Sequence, residues 1–150
     1  MVPSFTYAER LKRIKATGIR RFFNLAQGKP TIINLTVGEP DFAAPNHALD
    51  AGWRAAQEGK THYTPTNGIP ELREALSQKS RREHGLTYDL NSEILVTVGG
   101  TNAIFESFFA LVNPGDEVLI PDPGFIAYEP NVVLAGGVPI SVPLLEGNDF

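Results

Sequence analysis

"ILVTVGGTNAIFESFFALVNPGDEVLIP", residues 94–121, is the stretch that decides the fold. A β-branched run from Ile94 to Val98 meets Gly99-Gly100, and Thr101 to Val112 then carries apolar residues at helical spacing. Asn113-Pro114-Gly115-Asp116 stops that helix, and Glu117 to Pro121 reads as a second apolar strand. Strand, helix, strand in this order predicts a βαβ unit with parallel strands and a right-handed crossover. A further helical stretch, about Ile126 to Ala135, leads through Gly136-Gly137 to "VPISVPL" (138–144), a third strand. The fold class is therefore α/β, with a mainly parallel sheet beginning near residue 94 and flanked by helices. A parallel sheet needs both faces and its edges covered, so with three strands in view the sheet reads as incomplete at residue 150.

Upstream, two short helical patterns, about Tyr7 to Lys15 and Ile19 to Gln27, flank Thr17-Gly18, and "TIINLTV" (31–37) reads as a strand. From Asn46 to Glu58, Leu49, Trp53 and Ala56 share one helical face, with Gly59 suited to the stop. The clearest helix starts at Pro70, where a missing N–H is harmless, and runs to about His84-Gly85. Glu71 suits its positive start, and Ile69, Leu72, Ala75 and Leu76 supply its apolar stripe. "THYTPTNG" (61–68) is a turn-rich connector.

The 42% hydrophobic and 20% charged content of these 150 residues is that of a soluble globular domain. There is no cysteine, so disulfides and thiolate metal sites are excluded; His47, His62 and His84 lack ligand spacing, so no metal site is expected. No run approaches the roughly 20 apolar residues of a membrane helix, and no signal-peptide h-region opens the chain, so a cytoplasmic protein is expected. "NLT" at Asn34 then reads as a chance match to a glycosylation acceptor.

The net charge of −4 hides an asymmetry: every Lys and Arg lies at or before Arg82, and ten acids follow it. In the first thirty residues seven basic groups face one acid, Glu9, but they are interleaved with Leu11, Ile14, Phe22, Phe23 and Leu25 at helical spacing. That pattern favours a packed amphipathic arm over nucleic-acid binding.

In an open α/β sheet the ligand crevice lies beyond the carboxyl ends of the strands, which is where Gly99-Gly100-Thr101-Asn102 falls. Two glycines let an anion approach the backbone, the helix start offers N–H groups and a positive dipole end, and Thr101 and Asn102 add a hydroxyl and an amide. A phosphate is the natural guest; a Gly-Gly that merely makes a tight turn is the other reading. The sequence is neither G-x-G-x-x-G nor a Walker motif, which counts against dinucleotides and triphosphates. With no cation after Arg82, the counter-charge must come from the N-terminal half, a second subunit or further chain. At the next strand end, Phe125 and Tyr128 follow a Pro-Gly turn, either to stack on a planar ring or to serve as core aromatics. Tyr63 could donate a hydrogen bond to an anion or be a half-buried loop tyrosine, and Gly38 in "VGEPDF" could admit a ligand to the backbone or simply form a turn.

"NLTVGEPDF", "GKTHYTPTNGIPELREAL", "VTVGGTNAIF" and "NPGDEVLIPDPGFIAYEPNVVLAGG", in that order, together resemble the N-terminal part of class I pyridoxal-phosphate aminotransferases, most closely the aspartate and aromatic amino-acid branch. "GIRRFFNLA" in the arm looks like the same branch. The resemblance implies the fold type I transferase fold, with residues 1–45 as N-terminal arm and small-domain segment and 46–150 as the first part of the large cofactor domain. It implies that Gly99, Gly100 and Thr101 bind the phosphate of pyridoxal 5'-phosphate, with Asn102 in the same turn, and that Phe125 stacks on the pyridine ring. Tyr63 would reach the phosphate of the other subunit of a homodimer, and Gly38 would meet the substrate near its carboxylate.

The family's catalytic Schiff-base lysine is not matched here: none of Lys12, Lys15, Lys29, Lys60 or Lys79 sits in its context. The 150 residues alone are therefore expected to be inactive, as the N-terminal portion of an enzyme that exchanges an amino group between an L-amino acid, aspartate or aromatic, and a 2-oxo acid. A lyase using the same cofactor and fold, or a non-catalytic dimerisation or phosphate-binding module, are the alternatives.

Overall fold

The computed structural model describes residues 6–14, 18–29, 31–33, 35 and 38–150. The predicted strand 31–37 and Asn34 fall partly or wholly outside them; residues 31–33 and 35, which are described, form a turn and irregular chain rather than a strand. Two compact units divide the chain, Met1–Arg20 with Val98–Phe150, and Arg21–Thr97.

The first unit holds α1 (Glu9–Lys12), α5 (Gly100–Leu111), β1 (Glu117–Asp122), α6 (Tyr128–Ala135) and β2 (Val138–Pro143). β1 and β2 pair in parallel, with Glu117 opposite Val138 and Asp122 opposite Pro143. Parallel neighbours cannot be joined by a tight turn, and α6 supplies the crossover. Its helix begins two residues after the predicted Ile126, because Phe125 to Ala127 are used in a turn closed by Tyr128 N–H to Phe125 O at 3.1 Å. Gly136 (φ 94°) ends α6 in the left-handed conformation that favours glycine. A Cβ on Gly137 would come within 2.7 Å of Val112 Cγ1 and 3.0 Å of Val132 Cγ1, so this glycine lets the start of β2 close onto the small core around Val132.

The second unit holds α3 (Asn46–Gln57), α4 (Pro70–His84) and most of α2 (Ile19–Ala26). α4 has the predicted boundaries: Pro70 in the first turn, Glu71 at the positive end, Arg81, Arg82 and His84 in the last turn, and Gly85 at φ 71° as the C-cap.

The expected strand 94–98 does not form. A strand exists only through a partner, and here the Val96 N–H is taken by the carbonyl of Asn67 at 3.2 Å instead of by a ladder. The βαβ unit is thus β1–α6–β2, and the sheet has two strands among the described residues, not three.

Little apolar surface is covered. Among the described side chains only Val132 and Val133 are buried hydrophobics, while Trp53, Leu95, Val98, Phe109 and Leu119 are exposed. The accessible surface is 12886 Å². Even two separate globules of half the mass would together expose only about 9,000 Å². The helix faces and sheet edges legible in the sequence are formed but not enclosed.

Candidate functional site

In the first unit the chain turns from Val98 into α5 at Gly99, whose φ of 81° and ψ of 166° lie in a region essentially reserved for glycine. Gly100 is different: its backbone is not left-handed, and a Cβ there would meet nothing within 4 Å. Space is therefore open in front of the first helical turn. The first i→i−4 bond of α5 runs from Ala103 N–H to Gly99 O at 3.2 Å, so the N–H groups of Gly100, Thr101 and Asn102 precede the helical ladder. The first turn carries no acid and the N-cap no side-chain cap, which leaves the positive end of the helix facing no carboxylate of its own. These are the features an anion needs, and the twelve-residue helix is long enough to have a dipole. Asn102 is engaged within the turn: its Oδ1 accepts the Val98 N–H at 3.1 Å.

Phe125 follows β1 in a tight turn whose Asp122–Pro123 peptide is cis. Gly124 is required there, because a Cβ would collide with the carbonyl oxygen of Pro121. The Phe125 ring is about half exposed, at 48%, and meets Tyr128 edge to face, with centroids 5.6 Å apart. An exposed ring face held by a neighbouring ring is suited to stacking. Phe125 also lines a cavity of about 390 Å³ walled by Arg13, Asp122, Glu129 and Ser141 among others; the glycine turn is not in its wall. Arg10, Lys12 and Arg13 are the cations of this unit among described side chains, and Lys12 is paired with Glu9 at 2.5 Å. Arg13 thus brings an N-terminal positive charge to the Phe125 cavity, though not to the glycine turn.

In the second unit Tyr63 stands fully exposed at 107% relative accessibility. Gly38 is exposed, with open space where a Cβ would lie. Of the sequence-predicted residues, the fold brings Gly99, Gly100, Thr101 and Asn102 into one turn, with Phe125 in the same unit and Tyr63 and Gly38 in the other.

Sequence reasoning missed the clamp that holds the connector after Tyr63. Arg73 on α4 is buried at 7% exposure; its Nε donates to the Gly68 carbonyl at 3.1 Å and its Nη1 to the Leu90 carbonyl. Gly68, at φ 99°, packs so closely on Val96 that a Cβ would lie 2.5 Å from Val96 Cγ2. The available signal was position: Arg73 sits four residues after Ile69 and three before Leu76, on the apolar stripe of α4, where a cation must find buried acceptors.

No helix among the described residues is long and apolar enough to cross a membrane, and no group of His, Cys, Asp and Glu among them could hold a metal.

Residues 30–150 match the family model "Aminotransferase class I and II". The aspartate aminotransferase of Pyrococcus abyssi is 42% identical over 143 residues, 95% of this chain and 37% of the relative. Aromatic-amino-acid aminotransferase 2 of Thermococcus litoralis is likewise 42% identical over 143 residues, with the same shares. Among solved structures, the aspartate aminotransferase from Rhizobium meliloti superimposes with a TM-score of 0.87 at 36% identity, covering 96% of this chain and 37% of that one. The chain thus spans little more than a third of the length of the relatives it matches, its α/β structure with the parallel β1–α6–β2 unit covers part of the fold type I architecture, and the chain belongs to the class I and II aminotransferases.

Proposed function

We propose that the protein containing this chain is a pyridoxal-phosphate-dependent aminotransferase that moves an amino group between an L-amino acid, aspartate or aromatic, and a 2-oxo acid. The observation that carries the reading is the Gly99–Gly100 turn, with its unobstructed space and first-turn N–H groups at the start of α5. These features fit a phosphate: donors without an acid beside them, and room for a dianion to reach the backbone. When bound, pyridoxal 5'-phosphate supplies an electron sink for a proton leaving the substrate Cα.

What this chain's residues do is bind and orient. Gly100 and Thr101 donate backbone N–H groups, Thr101 adds its hydroxyl, and the Phe125 face covers the pyridine ring; Phe lacks the polar group an indole or phenol would add there. Tyr63, projecting fully into solvent, serves a partner subunit of a homodimer, and Gly38 lies by the substrate carboxylate. Residues 1–45 form an arm and small-domain segment, and 46–150 the first part of the cofactor domain. Nothing in these residues moves the proton, so the 150-residue chain alone does not transaminate. The absence of a membrane-spanning helix among the described residues is consistent with a cytoplasmic enzyme.

The test is the visible spectrum of the full-length protein before and after borohydride. A protein-linked pyridoxal chromophore, bleached by reduction and then converted by aspartate or an aromatic amino acid, is expected; a colourless protein that takes up no pyridoxal 5'-phosphate sinks the reading.

A further inference from the structure

The Gly99–Gly100 pair poses a problem for any ligand it serves. Glycine loses more conformational freedom on ordering than any other residue, so two in succession make a turn that is costly to hold still. If the ligand had to order it, that cost would be subtracted from affinity. The structure contains a bond that spans both glycines: the Val98 N–H, before the pair, is held by Oδ1 of Asn102, after it, at 3.1 Å. It runs from the third helical residue back across the N-cap, as in a capping box shifted by one position. Val98 has no strand ladder among the described residues, so the side chain of Asn102 does locally what a sheet neighbour would otherwise do for the turn.

We infer that Asn102 is a positioning residue for phosphate binding. Its carbonyl oxygen, bonded to Val98 N–H, orders the two glycines before the ligand arrives, and its amide NH2 is not the group that meets the anion. This rests on the function proposed above and changes the role of one residue within it. The rival arrangement, a direct amide-to-phosphate contact, forecasts that Asn102→Ala loses phosphate-dependent affinity with Val98 exchange in the ligand-free state unchanged. Asn102→Asp keeps an acceptor for Val98 N–H, in a first turn that favours a carboxylate, but removes the NH2. Asn102→Ala removes both.

The experiment uses the full-length protein, freed of cofactor, and titrates wild type, Asn102→Ala and Asn102→Asp with pyridoxal 5'-phosphate and with phosphate-free pyridoxal. Hydrogen exchange at the Val98 amide is followed in the ligand-free state. For Asn102→Ala we expect faster Val98 exchange and a loss of about tenfold in affinity for pyridoxal 5'-phosphate, with pyridoxal changed less than about twofold, the signature of lost preorganisation. Asn102→Asp should keep Val98 protected in the ligand-free state; its carboxylate repels a phosphate in either arrangement, so its exchange and not its affinity is the readout. A loss of phosphate-dependent affinity in Asn102→Ala with Val98 exchange unchanged means that the amide acts on the phosphate and not through Val98, and it overturns the inference alone. Unchanged phosphate-dependent affinity in Asn102→Ala overturns it too. A wild type that binds pyridoxal 5'-phosphate no better than pyridoxal overturns the site reading and the inference with it. Should Asn102→Ala fail to fold, Asn102→Ser, whose hydroxyl is one atom too short for the bond, takes its place under the same criteria.

Discussion

Arg73 Nε donates to the carbonyl oxygen of Gly68 at 3.1 Å, and the same guanidinium reaches the carbonyl of Leu90. One buried cation thus ties the end of the Tyr63 connector, which precedes α4, to the loop that follows it. Replacing Arg73 with Met leaves two carbonyls without their donor. In the full-length protein it should cost about 2–4 kcal/mol by denaturant unfolding, with Arg73→Lys intermediate. Equal stability of Arg73→Met and wild type would show that the clamp carries no weight.

The two glycines of the Gly99–Gly100 turn should respond differently to alanine. Gly99→Ala places a side chain at φ 81° and should destabilise the protein by about 1–3 kcal/mol. Gly100→Ala meets open space in a helical first turn, so stability should hold or rise by about 0.5 kcal/mol. Its affinity for pyridoxal 5'-phosphate should nevertheless fall about tenfold, as expected if the new methyl occupies the anion's approach. Parallel thermal melts and cofactor titrations check both halves; stability and affinity falling together for Gly100→Ala would show that the glycine serves the fold alone.

Phe125→Leu keeps apolar volume but removes the ring face and the edge contact to Tyr128. Cofactor affinity should drop by about 3–10-fold, the equivalent of roughly 0.5–1.5 kcal/mol for one aromatic pair. The change should be equal for pyridoxal and its phosphate, since stacking does not involve the phosphate. A loss confined to the phosphate form would place Phe125 elsewhere.

The loop after α4 should be pH-sensitive. The Ser92 hydroxyl, then the Asn91 and Ser92 N–H groups, donate to the Asp89 carboxylate and hold its pKa below the ordinary carboxylate value. Because the folded pKa is lower than the unfolded one, this contribution is fully present above the unfolded pKa and is lost as pH falls through the folded pKa. Protection of the Asn91 and Ser92 amides against hydrogen exchange, corrected for intrinsic rates, should therefore fall on acidification through that window in wild type. Asp89→Asn should lack the transition; an identical profile in the variant would dismiss the carboxylate as its cause.

The isolated 150 residues should expose apolar surface to solvent. With Trp53, Leu95, Val98 and Leu119 uncovered, the chain expressed alone is expected to bind a hydrophobic dye, to associate at micromolar concentration and to show no transaminase turnover. A monodisperse, dye-negative monomer by sedimentation would contradict this.

The sequence by itself determined what depends on neighbours along the chain. Pro70 and Gly85 bound α4, Gly136 ends α6, and the order of apolar runs specifies an α/β chain, because caps, periodicity and turn chemistry act within a few residues. The glycine turn into α5 was legible for the same reason: the start of a helix is a local property. Tertiary structure decided what depends on partners distant in sequence. Residues 94–98 have the composition of a strand, yet composition cannot provide a ladder, and Val96 bonds Asn67 instead. The partners of Arg73, the Gly68 and Leu90 carbonyls, are set by its burial in the folded chain. The bond from Val98 N–H to Asn102 Oδ1 was not legible either, because a side chain's partner is set by where the backbone places it, and only the folded chain states that.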